Sequence, residues 1–174
     1  MIPLPKEAQF SMLDGMVADD FDGDGNLDVL ISGNDFSTEV SIGRYDALNG
    51  LILKGDGKGG FQPLSILQSG IYIPGDGKAL VKLTGSTGNY MVAASQFLGP
   101  LKLFSLKKKV QNMKINADDV SAIIRYKSGA TRKEEFYYGS GFLSQSARSL
   151  TIDKNVSAVD ITDSKGKSRT ISFQ

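Results

Sequence analysis

Apolar residues come in short runs along this chain, and polar turn residues interrupt them. Runs of four to eight positions recur, separated by glycine, aspartate and asparagine, and a 3.6-residue period is hard to find. The pattern predicts strands at residues 15–18, 28–32, 39–45, 51–54 and 61–66. It predicts further strands at 79–83, 90–94, 101–106, 121–126, 133–138, 149–152, 158–162 and 169–173. Runs such as VLIS and MVAA are apolar at four consecutive positions, which calls for cover on both faces of the sheet. The prediction is an all-β chain.

The pattern also repeats. GMVADDFDGDGNLDVLISGN (15–34) aligns with KALVKLTGSTGNYMVAASQF (78–97) at an offset that places Gly25 on Gly88 and Asn26 on Asn89. LILKGDGKGGF follows the first copy and LKLFSLKKK the second. Several strands per copy at this spacing suggest propeller blades. From about Val110 the pattern changes, and SAIIRYKSGATRKEEFYYGSGFLSQ has no earlier counterpart. The reading is therefore residues 1–108 as about two blades, the second degenerate, and 109–174 as a small β-sandwich or barrel-like module. Lys107, Lys108 and Lys109 form the connector between them.

Composition narrows the chemistry. At 174 residues the chain is long enough to bury roughly 70% of its unfolded surface. It contains no cysteine and no histidine. Disulfides, thiolate nucleophiles and Ser–His or Cys–His catalysis are thereby excluded. The net charge of +1 gives no electrostatic case for nucleic acid. No apolar run approaches the ~20 residues of a membrane span. The start, MIPLPKEAQF, lacks a basic head and an apolar core, so it is not read as a signal peptide. It reads like the middle of a longer chain.

The crowded carboxylates of DDFDGDGNLDVL are the main candidate site. Counting from Asp20, acidic side chains stand at positions 1, 3, 5 and 9: Asp20, Asp22, Asp24 and Asp28. Gly25 occupies position 6, where a tight turn needs unusual dihedrals. Asn26 at position 7 can offer its backbone carbonyl. This is the front of a calcium-loop pattern. An EF-hand needs glutamate at position 12, and that position is Ile31. The expectation is a β-turn loop binding Ca2+ through Asp20, Asp22, Asp24, Asn26 and Asp28. The alternative is a solvated acidic turn, since aspartate and glycine are common in turns. Two like charges 4 Å apart repel by about 4 kcal/mol at a surface dielectric near 20, which favours an ion. The second copy has Leu83, Gly85, Thr87 and Met91 at the equivalent positions and can hold none.

DDFDGDGNLDVLISGN followed by LILKGDGKGGFQPL resembles an FG-GAP (VCBS-type) blade of integrin-like β-propellers. The match to the DxDxDGxxD loop is full at Asp20, Asp22, Asp24 and Asp28. Residues 78–106 resemble a degenerate second blade. RKEEFYYGSGFLSQSARSLTI with VSAVDITDSKGKSRTISF is similar to the ASPIC/UnbV module. It departs from that module at Thr162, Asp163 and Ser164, where tryptophan-proline is usual. The resemblance implies a calcium-binding, non-catalytic β-propeller fragment of a bacterial surface, periplasmic or secreted protein. It would act as a scaffold or as an adhesion module with a glycan or protein ligand. It also implies further blades in the parent chain, and open blade edges able to pair two copies.

Other patterns carry less. GDGKGG (55–60) meets a GxGxxG fingerprint but leads into FQPL, not a helix, so it reads as a hairpin turn. Asp118–Asp119 and Glu134–Glu135 are acidic pairs. Neighbours in a strand point to opposite faces, so Glu134 and Glu135 do not share one site. Phe136, Tyr137, Tyr138 and Phe142 can fill a sheet core or stack on a sugar. The rival functional class is a carboxylate-based enzyme acting on envelope polysaccharide. Asn155-Val-Ser157 is a glycosylation sequon with no meaning in a bacterial protein.

Overall fold

The computed structural model describes residues 2–107, 110–142 and 144–173. Lys108 and Lys109 of the expected connector, and Leu143 of the GSGFLSQS stretch, lie outside the described residues. The fold is all-β, built from four antiparallel sheets.

The first sheet is a meander of β1 (Leu13–Asp19), β2 (Asp28–Gly33), β3 (Leu51–Gly55) and β4 (Phe61–Leu64). GDGKGG closes the β3–β4 hairpin, with the Asp56 carboxylate accepting from the Lys58 and Gly60 amides. Pro63 sits on β4, at the sheet edge, where a missing N–H costs no ladder bond. The second sheet holds β5 (Gly77–Thr84), β6 (Tyr90–Gln96) and β7 (Lys102–Ser105).

The two hairpins of the repeat close differently. β1 and β2 pair as far as Asp19↔Asp28, leaving residues 20–27 as a loop. β5 and β6 continue to Thr84↔Tyr90, so only residues 85–89 turn the chain. Gly25 and Gly88, the aligned glycines, both take positive φ, +92° and +81°. A side chain is strained there, which explains glycine in both copies.

Apolar residues from the two sheets pack on one another: Val17, Leu30 and Ile52 against Leu80, Tyr90 and Val92. The opposite face of the first sheet is covered as well, with Ile31, Leu51 and Leu53 packing on Ala8 and Leu48. Two-sided cover is why β2 reads as a continuous apolar run. Each such aliphatic side chain contributes about 1.5–3 kcal/mol by burial. β1 and β5 lie side by side. A Cβ on Gly15 would stand 2.9 Å from Leu80 Cγ and 3.0 Å from Leu80 N, so glycine permits this approach.

The C-terminal part has its own core. A four-stranded sheet runs in the order β10 (Thr131–Glu135), β9 (Asp119–Tyr126), β12 (Val156–Asp163), β13 (Ser168–Ser172). A two-stranded sheet pairs β8 (Gln111–Lys114) with β11 (Ser149–Ile152). Ile124, Val159 and Ile161 meet Leu150 and Ile152 in one cluster. This part is docked on the first two sheets by polar contacts. Lys82 N donates to Ser146 Oγ at 3.0 Å, and Ala147 N donates to Lys82 O at 2.7 Å. Asn112 Nδ2 donates to Gly88 O at 2.8 Å.

Three local expectations change. Residues 39–45 form a turn rather than a strand: Ile42 N and Gly43 N both donate to Glu39 O, and Gly43 takes φ +80°. Val40 and Ile42 are exposed, so their apolar character buries nothing in this chain. Residues 65–69 are a capped helical turn, Ile66–Ser69, with a Ser65–Gln68 capping box in place of the end of a strand. β8 was not predicted, because QNMK offers a single apolar residue. No helix among the described residues is long and apolar enough to cross a membrane.

Candidate metal centre

The acidic loop is organised by its own carboxylates. Asp22 Oδ1 accepts from Asp24 N at 3.1 Å, and Asp24 Oδ1 accepts from Asn26 N at 2.8 Å. These two Asx turns use aspartate at every second residue, which gives the spacing a backbone role of its own. Asp20 accepts from Gly23 N at 2.5 Å and Gly25 N at 3.0 Å. Asp28 opens β2 and is 1% exposed. Its Oδ2 accepts from Phe21 N at 3.0 Å and its Oδ1 from Gly55 N at 2.9 Å. Asp28 thus ties the loop to the end of β3.

Of the four carboxylates expected to bind the ion, the structure brings three together. One carboxylate oxygen from each of Asp20, Asp22 and Asp28 lies within 4.8 Å of the others. Asp24 stands outside this group and pairs with Lys54 at 3.2 Å. The same ammonium pairs with Asp22. The Asn26 side chain packs toward the β3–β4 turn, where a Cβ on Gly57 would collide with its amide.

Burial and neighbouring charge shift the loop carboxylates in opposite directions. Burial pushes the Asp28 carboxyl above the ordinary carboxylate range. The Gly55 and Phe21 amides oppose that, and the charges of Asp22 and Asp24 add to it. Burial acts on Asp24 in the same direction, but the Asn26 amide and Lys54 hold it below the usual range. Lys54 is raised, chiefly by its bonds to Asp22 and Asp24. Asp20, Asp22 and Asp28 present carboxylate oxygens to one another across the loop. An all-oxygen set of this kind fits a hard divalent ion such as calcium or magnesium. A bound ion would supply positive charge to Asp20, Asp22 and Asp28. Lys54 is the loop partner that the sequence reading missed. Its signal was a lone cation in the apolar run LILKG, the next strand after the loop hairpin.

A second charged cluster lies beside the loop. Asp19, 3% exposed, meets Lys82 Nζ at 3.1 Å and accepts from Thr151 Oγ1 at 3.2 Å. Lys82 also reaches Glu134 at 3.7 Å, and Glu134 reaches Arg132 at 3.5 Å. Burial and the nearby Asp19 charge raise Glu134 against the opposing pull of Lys82. Glu135 points elsewhere, to Lys133 and the Tyr137 hydroxyl, both at 2.6 Å. The two glutamates occupy opposite faces of β10, as alternation requires. Of the other acidic pair, Asp119 is buried and held by Arg169 through two bonds of 2.6 Å.

The C-terminal part touches the loop directly. Asn155 Nδ2 donates to Gly23 O at 3.2 Å, and the Tyr126 ring lies 3.8 Å from the Cβ position of Gly25. No family model and no curated protein matches this chain.

Proposed function

We propose that this chain is a calcium-clamped, non-catalytic β-scaffold of the propeller-blade type, a binding or adhesion part of an extracytoplasmic protein. One observation carries the reading: three carboxylate oxygens from Asp20, Asp22 and Asp28 converge within 4.8 Å at the joint of β1, β2 and β3. A divalent ion there relieves like-charge repulsion and fixes one end of the first sheet. The repeat copy supports a structural role, because its turn keeps the glycine and asparagine while dispensing with the carboxylates. The ion therefore acts as a clamp on one hairpin and takes no part in chemistry.

The test is calorimetric titration of the chelator-treated chain with calcium, together with its melting temperature. Millimolar or tighter binding with a rise in melting temperature supports the reading. Absence of heat and of any shift at millimolar calcium overturns it. Turnover of envelope polysaccharide by the chain, lost on replacing Glu134 and kept on replacing Asp28, would instead favour the enzyme reading.

A further inference from the structure

Two hollows of about 340 and 440 Å³ adjoin beside β10 and the segment leading into β11, sharing Ile115, Ala147, Arg148 and Ser149 as walls. Lys82, Arg132 and Glu134 line the first hollow, and Asn112 lines the second. Such volumes suit a small ligand. Five buried side-chain atoms on these walls have no hydrogen-bond partner: Arg132 Nε and Nη1, Arg148 Nε, Ser149 Oγ and Asn112 Oδ1. Buried polar groups are rarely left so, and here they cluster.

The chemistry of the walls selects the ligand. Guanidinium nitrogens only donate, an amide oxygen only accepts, and a serine hydroxyl does both. A ligand rich in hydroxyls answers all three. Arg148 adds a charge requirement. It donates to the carbonyls of Phe136, Asn116, Ala117 and Asp119 and acts at a distance on the Asp119 carboxylate, which Arg169 already holds, but makes no ion pair of its own among the described residues. Lys82 and Arg132, by contrast, are already matched by Asp19 and Glu134. At the rim stand two exposed aromatic rings, Tyr137 on the first hollow and Tyr138 on the second, 61% and 67% exposed. Arg148 stacks over Tyr138 at 4.2 Å. Exposed aromatic faces beside convergent polar groups suit the apolar face of a pyranose ring.

We infer that this double hollow binds a saccharide bearing a carboxylate, a uronate chain, with its acid group directed to Arg148 and a ring on Tyr137. The first hollow borders the acidic loop at Leu27 but uses none of the loop carboxylates, so it does not depend on the metal.

The test is ligand-observed saturation-transfer NMR and titration of the full chain with trigalacturonate. The comparison ligand is the same trimer with its carboxylates reduced to hydroxymethyl groups. The acid trimer is expected to bind about tenfold or more tightly than the reduced one, the scale of a charge-assisted hydrogen bond. Tyr137→Ala and Arg148→Gln each weaken the acid trimer. Tyr137 is exposed and bonds only its neighbour Glu135, so its replacement leaves the fold intact even where Arg148→Gln does not. No binding of the acid trimer at millimolar concentration, equal binding of the two trimers, or full binding by Tyr137→Ala would overturn the assignment.

Discussion

Asp19 and Lys82 occupy equivalent positions of the two repeat copies, and their side chains meet at 3.1 Å. One copy supplies an anion and the other a cation at the same place in the hairpin. The pair is buried at the seam between β1 and β5, with Glu134 of β10 on its far side at 3.7 Å from Lys82. A second cross-strand pair, Asp14–Lys78 at 3.0 Å, stands further along the same two strands. The two copies are thus joined by apolar packing and by two complementary charge pairs.

Removing the cation alone takes the paired ammonium from buried Asp19 and leaves Arg132 to face both it and Glu134. Lys82→Met is expected to destabilise the chain by about 3–5 kcal/mol, measured by urea unfolding. Replacing both partners, Lys82→Met with Asp19→Leu, recovers part of that loss, because an apolar pair carries no desolvation cost. A double variant no more stable than Lys82→Met would contradict this account.

Gly15 sets the distance between the same two strands. A Cβ there would press on Ser32 Oγ at 2.5 Å and on the Leu80 backbone at 3.0 Å. Gly15→Ala is expected to cost about 1–3 kcal/mol, a fall of roughly 2–10 °C in melting temperature for a chain of this size. Gly43, with nothing within 4 Å of its Cβ position but a φ of +80°, serves as the control for conformational strain without a clash.

Much of this was legible in the sequence because it is local. Period-two runs and glycine turns located most strands, and the aligned Gly25 and Gly88 carry the same positive φ. The DxDxD spacing marked the acidic loop, and Asp20, Asp22 and Asp28 do converge. The departures come from non-local contacts. Asp24 turns to Lys54, which reaches the loop only because β3 pairs with β2. Lys82 looks like an ordinary surface lysine in KALVKL, and only the docking of β10 and of residues 146–147 encloses it. Val40 and Ile42 mimic a strand, but among the described residues no strand pairs with them.

The loop carboxylates are expected to differ in their effect on calcium. At calcium a hundredfold above its dissociation constant the gain is about 2.7 kcal/mol, a rise of roughly 5–10 °C. Asp20→Asn and Asp28→Asn should each abolish that rise, since both carboxylates belong to the converging group. Asp24→Ala should reduce it less. Lys54→Met removes the ammonium that pairs with Asp22 and Asp24, so calcium should bind more tightly to that variant. Weaker binding by Lys54→Met in calorimetry would show that Lys54 shapes the loop rather than competes for it.

The C-terminal sheet should respond to acid through Asp119. Its carboxylate is buried and accepts two bonds from Arg169 at 2.6 Å and one from Asn116 N at 2.7 Å. Chiefly through Arg169, its pKa is lowered from the usual 3.8. A depressed carboxylate stabilises the folded state above its unfolded pKa, because the unfolded chain then takes up protons more readily than the folded one. That stability is complete above the ordinary aspartate range and is lost as pH falls below about 4 toward the folded value. Asp119→Asn is expected to cost about 1–2 kcal/mol at neutral pH, discounted for the partial exposure of Arg169. The same variant should flatten the fall in stability below pH 4. Urea midpoints measured between pH 3 and pH 7 check both. An equal acid slope in wild type and Asp119→Asn would place the acid sensitivity elsewhere.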